Sequence, residues 1–500
     1  MNTFRFPVLT FAILAASFAS AQSGQKPAVI RGKHAVSQPV SSLVTTPKFE
    51  KNAVRPVDRA AVPAGATAGM NFDGTVGTGY AYSDATGAVG ATQYVHLINT
   101  RYTIYNKTTG AVVKGPFAEN ILWKTFGGPC QTTANGDGTI MYDQAAKRWV
   151  FQHHAYPVGG PYLDCVAVSK TSDATGAYNL YGFELTIALP DSPKLAVWPD
   201  AYYIGQNLLD PTTKSFQRAQ VCALDRTAML AGLDANAICF QGSISLPTIL
   251  PVNWYGGTAP PAGSPEYFFE LDQRPGQGQN QMNEYAFHVD FVTPENSTFT
   301  QIAAFQVPAY RDSCYSACVP QANTTNVVRG YGDRLMHPLV YRNLGNHESI
   351  LLTHTVSTTT KLTDPSGIRW YEIRTPATPV IYQSGTFAPD GNYRFVPSIG
   401  MDRTGDIAVG YSVSGPSVFP SIRYTGRIPS EPLGTLEAET SIMEGTGSQL
   451  STNGQWSGYS GMSLDPVDNC TFWYTNQYYK ADSVSGWSTR IASFKFPNCH

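Results

Sequence analysis

One antiparallel unit of the chain reads Met401-Asp402-Arg403-Thr404-Gly405-Asp406-Ile407-Ala408-Val409-Gly410-Tyr411-Ser412-Val413 and, after a short loop, Ser421-Ile422-Arg423-Tyr424-Thr425-Gly426-Arg427. The run from Asp402 to Asp406 holds residues that tolerate the left-handed backbone of a hairpin turn. Ile407 to Val413 is short and combines β-branched, small and aromatic residues, which is typical of a strand buried on both faces. The stretch therefore predicts successive strands of one antiparallel sheet, with a structural turn at Asp402 to Asp406.

The same pattern recurs after Met70. A second strand is predicted in each copy, at 94–99, 149–153, 201–207, 266–271, 349–356, 407–413 and 471–477. A third strand follows each of them, at 102–107, 165–170, 221–226, 285–290, 369–374, 421–427 and 490–496. This repetition predicts an all-β chain folded as a seven-bladed β-propeller.

The end of the repeat indicates how such a ring would close. The seventh copy stops after its third strand, and residues 71–76 are expected to supply its outer strand, which removes a free edge. The fourth and fifth copies are the weakest, because 251–264 and 308–330 resemble long loops. A six-bladed ring or a sandwich is the alternative. No second domain boundary is evident, so the propeller is expected to span residues 70–500.

Composition favours an extracellular β-protein with a large core. Charged residues make up 14% of the chain, against about 25% in average soluble proteins. The 28 Tyr, 24 Phe and 8 Trp supply aromatic core residues, and 45 Gly and 35 Pro supply turns. A formal net charge of −2 gives no general attraction to nucleic acid or to anionic membranes. Neither is therefore expected as a partner.

The first 69 residues have a different character. Arg5, an apolar run from Val8 to Phe18 and Ala19-Ser20-Ala21 predict a signal peptide over residues 1–21. Residues 22–69 are basic, without a hydrophobic period, and are expected to form a disordered leader. No later segment is long enough to span a bilayer. The mature protein is expected to be secreted, into the medium or the periplasm, and to be a monomer.

The eight cysteines of an exported chain are expected to form structural disulfides. Eight cysteines allow 105 pairings. Proximity in the sequence favours Cys130 with Cys165, Cys222 with Cys239, Cys314 with Cys318, and Cys470 with Cys499.

Particular segments resemble a large, mostly uncharacterised group of secreted bacterial propeller proteins that carry sialidase-like repeats. The resemblance rests on segments spread over nearly everything after Met70: 87–90, 94–99, 126–130, 142–143, 148–149, 223–226, 332–334, 369–371, 402–413 and 463–466. It implies the propeller fold and export, and no particular reaction. The Asp-boxes of true sialidases (S-x-D-x-G-x-T-W) do not occur in the sequence.

In a propeller, ligands are expected at the channel mouth, where first strands begin and second strands join third strands. Catalytic candidates there are the carboxyl groups of Asp84, Asp137 and Asp333, which would act as general acid and as base or nucleophile, and His153 as a base. The alternative is structural: Asp caps turns and ties blades together. His153 and His154 point to opposite faces of a strand, so only one can face the channel.

Binding candidates at the same rim are arginines, amides and aromatic residues. The guanidinium groups of Arg101, Arg334 and Arg394 could converge on one anionic group, or each could pair with a neighbouring Asp. The remaining candidates offer hydrogen bonds or flat faces for sugar rings: Asn99, Asn207, Tyr393, Trp456 and Tyr459. No cofactor is expected, although the loop 135–138 faintly resembles a calcium loop without its acidic run.

Two functions fit these observations. The first is an enzyme that acts on an extracellular carbohydrate, either a glycoside hydrolase or a polysaccharide lyase, with its site at the channel mouth. The second is a non-catalytic propeller that binds a surface glycan or a protein. The mixed Asp, Arg, His and aromatic rim favours the first, and the lack of a known catalytic motif favours the second.

Overall fold

The structure is a computed structural model that describes residues 25–43, 66–77, 79–185, 188–272, 280–314, 316–359, 361, 363–374 and 379–500. The expected signal peptide and residues 22–24 and 44–65 of the expected leader lie outside the described residues. The described part is all-β, with two short α-helices, α1 (Pro129–Thr132) and α2 (Arg226–Ala231). Short 3₁₀ helices lie at Val40–Ser42, Glu119–Trp123 and Pro294–Asn296. None of the described helices is long and apolar enough to cross a membrane.

The strands follow one another in groups. Three strands precede the repeat: β1 (Ala28–Arg31), β2 (Lys33–Val36) and β3 (Thr67–Asp73). The first three units are β4 (Thr86–Val89), β5 (Gln93–Ile98), β6 (Arg101–Asn106) and β7 (Val112–Ala118); β8 (Thr139–Asp143), β9 (Arg148–Ala155), β10 (Tyr162–Ser169) and β11 (Tyr178–Leu185); and β12 (Leu189–Val197), β13 (Tyr202–Leu209), β14 (Phe216–Leu224) and β15 (Asn236–Gln241).

The later units continue the pattern. They are β16 (Leu250–Trp254), β17 (Glu266–Asp272), β18 (Gln281–His288) and β19 (Thr298–Gln306); β20 (Leu339–Asn343), β21 (Glu348–Ser357), β22 (Ser366–Arg374) and β23 (Val380–Phe387); β24 (Tyr393–Met401), β25 (Ile407–Gly415), β26 (Val418–Arg427) and β27 (Thr440–Met443); and β28 (Gly461–Leu464), β29 (Phe472–Tyr478) and β30 (Ser488–Lys495). The predicted second and third strands all coincide with observed strands, within a few residues at their ends.

The described strands form six sheets. One of them has eight strands, in which two antiparallel four-stranded units are joined by a parallel pairing of β16 with β20. The first strands of successive units contact one another in chain order, and β28 contacts β4. β3 pairs antiparallel with β30, as the outer strand of the last sheet. The strand expected at residues 71–76 therefore begins earlier, at Thr67.

The stretch from Met401 to Arg427 shows why the units fold this way. Asp402 Oδ1 accepts hydrogen bonds from the backbone N–H groups of Thr404, at 2.8 Å, and Asp406, at 3.0 Å. Gly405 supplies a φ of +89° in the same turn. β25 is buried along its whole length and pairs with β24 and β26. A side chain at Gly410 would meet the ring of Tyr474, so close approach of the next sheet requires glycine there.

Two expectations are corrected by the strands. Residues 25–43 of the expected disordered leader are ordered: β1 pairs with β15, and β2 pairs with β11, so each extends a sheet to five strands. Both strands lie at exposed sheet edges, where backbone hydrogen bonds to one partner strand hold a segment that has few large apolar residues. The loop expected at 251–264 begins inside β16, because Pro251 takes a strand position opposite Phe268.

The hydrophobic core is divided into clusters between neighbouring sheets. The cluster between the last sheet and the first joins Phe72 of β3 to Tyr105 and Trp473. The four expected cysteine pairs are all disulfide-bonded. The inner strands of each sheet are buried, whereas outer strands such as β19 and β23 are largely exposed or half-buried.

The first prediction concerns the strand β3. Phe72→Ala removes a buried ring that touches both the first and the last unit, so we expect the free energy of unfolding to fall by about 3–5 kcal/mol. Thr67→Ala, at the exposed start of β3, is the matched control and should change it by less than about 0.5 kcal/mol. Urea unfolding measures both. Equal effects would show that β3 does not stabilise the junction.

Candidate active site

A strained backbone position recurs at the start of the first strands. Asp84, Asp137, Ser192, Thr248 and Val396 have φ values of 44°, 57°, 50°, 66° and 51°. Each lies two residues before a residue that pairs with the second strand of its unit. Left-handed backbone at residues other than glycine is uncommon and often marks functional sites, and Asp tolerates it best. The repeat thus places a left-handed backbone conformation near the same end of several first strands.

The carboxyl groups of Asp84 and Asp137 meet at this end. The charge of Asp137 raises the pKa of Asp84, whereas a hydrogen bond with Asp84 lowers the pKa of Asp137, so the proton of the pair favours Asp84. Asp84 Oδ1 accepts from the Gly458 backbone N–H at 2.5 Å, and Asp84 Oδ2 accepts from Asn99 Nδ2 at 2.8 Å. Asn99 Oδ1 in turn accepts from the Asp137 backbone N–H at 3.1 Å. Two of the expected catalytic residues and one expected binding residue are therefore brought together.

Burial favours the protonated form of this pair. It raises the pKa of Asp84 to about 7, with the charge of Asp137 as the next cause. Burial and then the charge of Asp191 raise the pKa of Asp137. Asp84 is 4% exposed, whereas Asp137 is partly accessible. The pair can consequently hold a proton near neutral pH beside the partly accessible Asp137.

A buried lysine, Lys194, balances the carboxyl groups. Lys194 is 4% exposed, and its Nζ donates to Ser192 Oγ at 3.1 Å and to the Pro193 carbonyl at 3.0 Å. It also lies 4.0 Å from the centre of the Tyr459 ring. Burial lowers its pKa to about 8, against the opposing charges of Asp137 and Asp84. Its charge lowers the pKa values of both of those carboxyl groups.

Further polar groups surround the pair. Glu119 is buried, accepts from the Gly136 backbone N–H at 2.7 Å, and has its pKa raised to about 8 by burial. The hydroxyls of Tyr82 and Tyr156 have pKa values raised by burial and then by the nearby Asp charges, so they remain protonated. Tyr459 donates its hydroxyl to the Gly138 carbonyl at 3.1 Å. These tyrosines can donate hydrogen bonds but are not bases.

Arg334 belongs to the same surroundings but is already paired. Its Nη2 lies 2.7 Å from Asp333 Oδ2, and its guanidinium lies 5.5 Å from the centre of the Tyr331 ring. The charge of Asp191 also raises the pKa of Arg334, and the charge of Arg334 lowers the pKa of Lys194. This ion pair agrees with the structural alternative, in which the arginine pairs with a neighbouring Asp.

Other expected binding residues lie in different surroundings. Arg394 is fully buried and ion-paired with Asp390 and Glu439, both at 2.8 Å, whereas Arg101 is exposed at the start of β6. Arg394 is therefore neutralised by its own carboxylate partners, as in the alternative in which each arginine pairs with a neighbouring acidic residue. Asn207 Oδ1 accepts from the Thr248 backbone N–H at 2.9 Å, and so supports the strained start of β16.

The remaining candidates are held by internal contacts. Tyr393 donates its hydroxyl to the Thr363 carbonyl, and fully buried Trp456 donates Nε1 to Ser412 Oγ. His153 packs edge-on against Trp123, and its Nδ1 contacts the His154 carbonyl. Burial lowers the pKa of His153 to about 4, so it is neutral at pH 7. None of these three contacts joins the carboxyl pair.

A small cavity lies between the first strands. Its volume is about 10 Å³, which is room for about one water molecule. It is lined by residues such as Ile140 and Met462, and the Tyr255 hydroxyl donates to the Met462 carbonyl beside it.

Two important residues, Asp191 and Lys194, were missed by sequence reasoning. They lie at the start of β12, in the third unit, where the repeat register places a counterpart of Asp84 and Asp137. Aligning first strands as well as second strands would have found them. Glu119 follows the fourth strand of the first unit, and only the tertiary fold brings it to Gly136.

The loop 135–138 is used for hydrogen bonds within the protein. Asn135 Oδ1 accepts from the Tyr156 backbone N–H at 3.0 Å, while Gly136 and Asp137 donate to Glu119 and Asn99. Among the described residues, no group of three or more His, Cys, Asp or Glu side chains is arranged to hold a metal ion.

No family model matches the sequence. No curated protein matches it significantly. Similar solved structures include a protein of unknown function from Dyadobacter fermentans, with 10% identity, 72% of this chain and 94% of that chain covered, and a TM-score of 0.35. A Hadza microbial sialidase has 8% identity, coverage of 80% and 73%, and a TM-score of 0.34. An ulvan lyase bound to a GlcA–Rha3S unit has 10% identity, coverage of 83% and 95%, and a TM-score of 0.34. Likenesses this remote do not assign a function to the chain.

The second prediction tests the proton held by Asp84. Its folded pKa of about 7 exceeds the value of about 3.9 for an exposed Asp, so the folded protein keeps a proton that the unfolded chain releases. This stabilisation is complete below about pH 4 and is lost as the pH rises through about 7. We expect wild type to lose stability relative to Asp84→Asn over that range, by a few kcal/mol at most. Urea unfolding at several pH values measures the difference.

Asp290→Asn serves as a control of opposite sign. The Thr293 backbone N–H lowers the pKa of Asp290, so wild type gains stability relative to this variant as the pH rises from acid. Asn tolerates left-handed backbone as Asp does, so the Asp84 variant keeps its local geometry. A difference between wild type and Asp84→Asn that is the same at every pH would contradict the retained proton.

Proposed function

We propose that the protein is an exported seven-bladed propeller that hydrolyses glycosidic bonds in a hydroxyl-rich extracellular carbohydrate. The cycle of contacts between first strands and the pairing of β3 with β30 support a closed ring. The division of the eight-stranded sheet at the parallel β16–β20 pairing supports seven blades. The four disulfides support export, since such bonds persist in oxidising compartments.

The observation that carries the proposed reaction is the protonated carboxyl pair beside a second carboxylate. Asp137 is partly accessible, and burial and then the charge of Asp191 raise its pKa, against the opposing effect of its hydrogen bond with Asp84. In this proposal Asp137 is the general acid that protonates the leaving oxygen. Asp191, which is also partly accessible, is the base or nucleophile, and Asp84 is a positioning residue.

The surrounding groups favour a neutral sugar and hydrolysis rather than elimination. Asp84, Asp137, Asp191 and Asp333 outnumber Lys194 and Arg334, which disfavours an acidic sugar ring at this rim. Tyr82 and Tyr156 are protonated and partly exposed, so they offer ring faces and hydroxyls to a sugar. A lyase needs a base for a carbon-bound proton, and tyrosines with raised pKa values do not supply one.

The second candidate function is non-catalytic glycan binding. It is favoured by the two hydrogen bonds that occupy the oxygens of Asp84, and by the small volume of the cavity between the first strands. Under this proposal the carboxyl pair would join blades, and the exposed tyrosines would bind a sugar without cleaving it.

The third prediction separates these functions. Asp137→Asn and Asp191→Asn should each lower kcat/KM on the best substrate of a polysaccharide panel by about 10²-fold or more. Asp173→Asn, on an outer turn, is the control and should leave the rate unchanged. Release of reducing ends measures hydrolysis, and absorbance of unsaturated uronate measures elimination. Binding of glycans by wild type without any product would establish the second candidate instead.

The fourth prediction concerns the pH dependence of that rate. Because the acid form of Asp137 is required, kcat/KM should fall as the pH rises and the pair loses its proton. The charge of Lys194 lowers the pKa values of the pair, so Lys194→Met should move this fall to higher pH. A pH–rate profile of both proteins measures the shift. If the pH–rate profile of the folded variant is unchanged or shifts to lower pH, Lys194 does not control the protonation of the carboxyl pair.

A further inference from the structure

A second, larger cavity lies at the other end of the first strands. It has a volume of about 360 Å³, within the range of small-molecule sites. Its lining includes Met401, the last residue of β24, whereas Asp84 and Asp137 precede the beginnings of β4 and β8. The cavity is formed by the fifth and sixth units, beside the turn from Asp402 to Asp406. It is therefore distinct from the carboxyl pair.

One arginine in its lining, Arg427, has an unused donor. Arg427 is 2% exposed, and its Nη2 donates to the Glu431 carbonyl at 2.8 Å. Its Nε is buried without a hydrogen-bond partner among the described residues. Buried donors are nearly always paired, and of the described arginines with an unpaired Nε, Arg329, Arg342 and Arg427, it is Arg427 that lines this cavity.

A second arginine, Arg374, is fixed in position beside it. The Arg374 guanidinium lies 3.3 Å from the centre of the Tyr382 ring, and its Nε donates to Glu372 Oε1 at 3.0 Å. Stacking holds the guanidinium plane while its terminal N–H groups stay in that plane, and a fixed fork suits a planar carboxylate.

The charge balance of the lining is positive. Arg374, Arg403 and Arg427 line the cavity together with one carboxylate, Glu372. Glu372 is already occupied, since it accepts from Ser349 Oγ at 2.7 Å and from Gln383 Nε2 at 2.6 Å, besides Arg374. Burial lowers the pKa of Arg427, and the charges of Glu372, Glu431 and Asp406 oppose this effect. Within the lining itself, three guanidinium groups therefore stand against one carboxylate, although Arg403 also donates to the His500 oxygen.

We propose that this cavity binds a carboxylate-bearing sugar, a uronate unit, through the guanidinium groups of Arg427 and Arg374. Asn346 and His347 also line it and offer hydrogen-bonding groups to ring hydroxyls, while Leu433 and Pro429 offer apolar contact. The volume accommodates one or two sugar rings. The inference does not rest on the proposed hydrolysis, because no residue of the carboxyl pair takes part.

Calorimetric titration of the full chain with glucuronate, and with glucose as its neutral counterpart, tests the site. We expect glucuronate to bind at least about tenfold more tightly, as charged hydrogen bonds imply, and more weakly at high salt. Arg374→Gln and Arg427→Lys should each weaken glucuronate binding by about tenfold or more. Arg369→Gln, an arginine outside the cavity, is the matched control and should bind as wild type does.

Other outcomes would overturn the proposal. Equal affinity for glucose, no binding of glucuronate, or unchanged affinity in the folded Arg374 variant would each do so. If inorganic sulfate binds more tightly than glucuronate, the site recognises a tetrahedral anion and the proposed carboxylate ligand is wrong. Asp137→Asn should retain glucuronate binding, so failure of the proposed hydrolysis and failure of this site are distinguishable. Arg374 is partly exposed, so its variant tests the site even if Arg427→Lys does not fold.

Discussion

Burial of the inner strands of each sheet on both faces is the constraint on which the structure depends. A strand such as β25, buried at every position, is stable only if another sheet covers each face. The first and last units meet this requirement through one aromatic cluster, in which Phe72 of β3 packs with Tyr105 and Trp473. The rest of the architecture follows from repeating that contact, with glycines such as Gly410 where sheets approach most closely.

The same packing explains the unusual protonation at the rim. Side chains at the beginnings of the first strands have little access to water, and burial penalises their charges. Asp84 and Asp137 respond by holding a proton, and buried Lys194 has its pKa lowered. Left-handed backbone at Asp84 and Asp137 turns these residues into position. The strained backbone and the shifted pKa values thus occur at the same place, the buried beginnings of the first strands.

The two ends of the first strands differ in charge. Carboxyl groups dominate at the beginning, around Asp84, Asp137 and Asp191, whereas arginines dominate the cavity beside Met401. A turn that the sequence indicated as merely structural, Asp402 to Asp406, forms part of that cavity's surroundings through Arg403 and Thr404.

The second and third strands were predictable from sequence, because their alternation and turn chemistry are local. So was the meeting of Asp84 with Asp137, since both begin first strands in a repeat. The ordered pairing of β1 and β2 was not, because an edge strand needs only a partner's hydrogen bonds. Nor were the ion pairs of Arg394 with Glu439 or the unpaired Nε of Arg427. Side-chain partners distant in sequence, and burial that sets protonation, exist only once the sheets are packed.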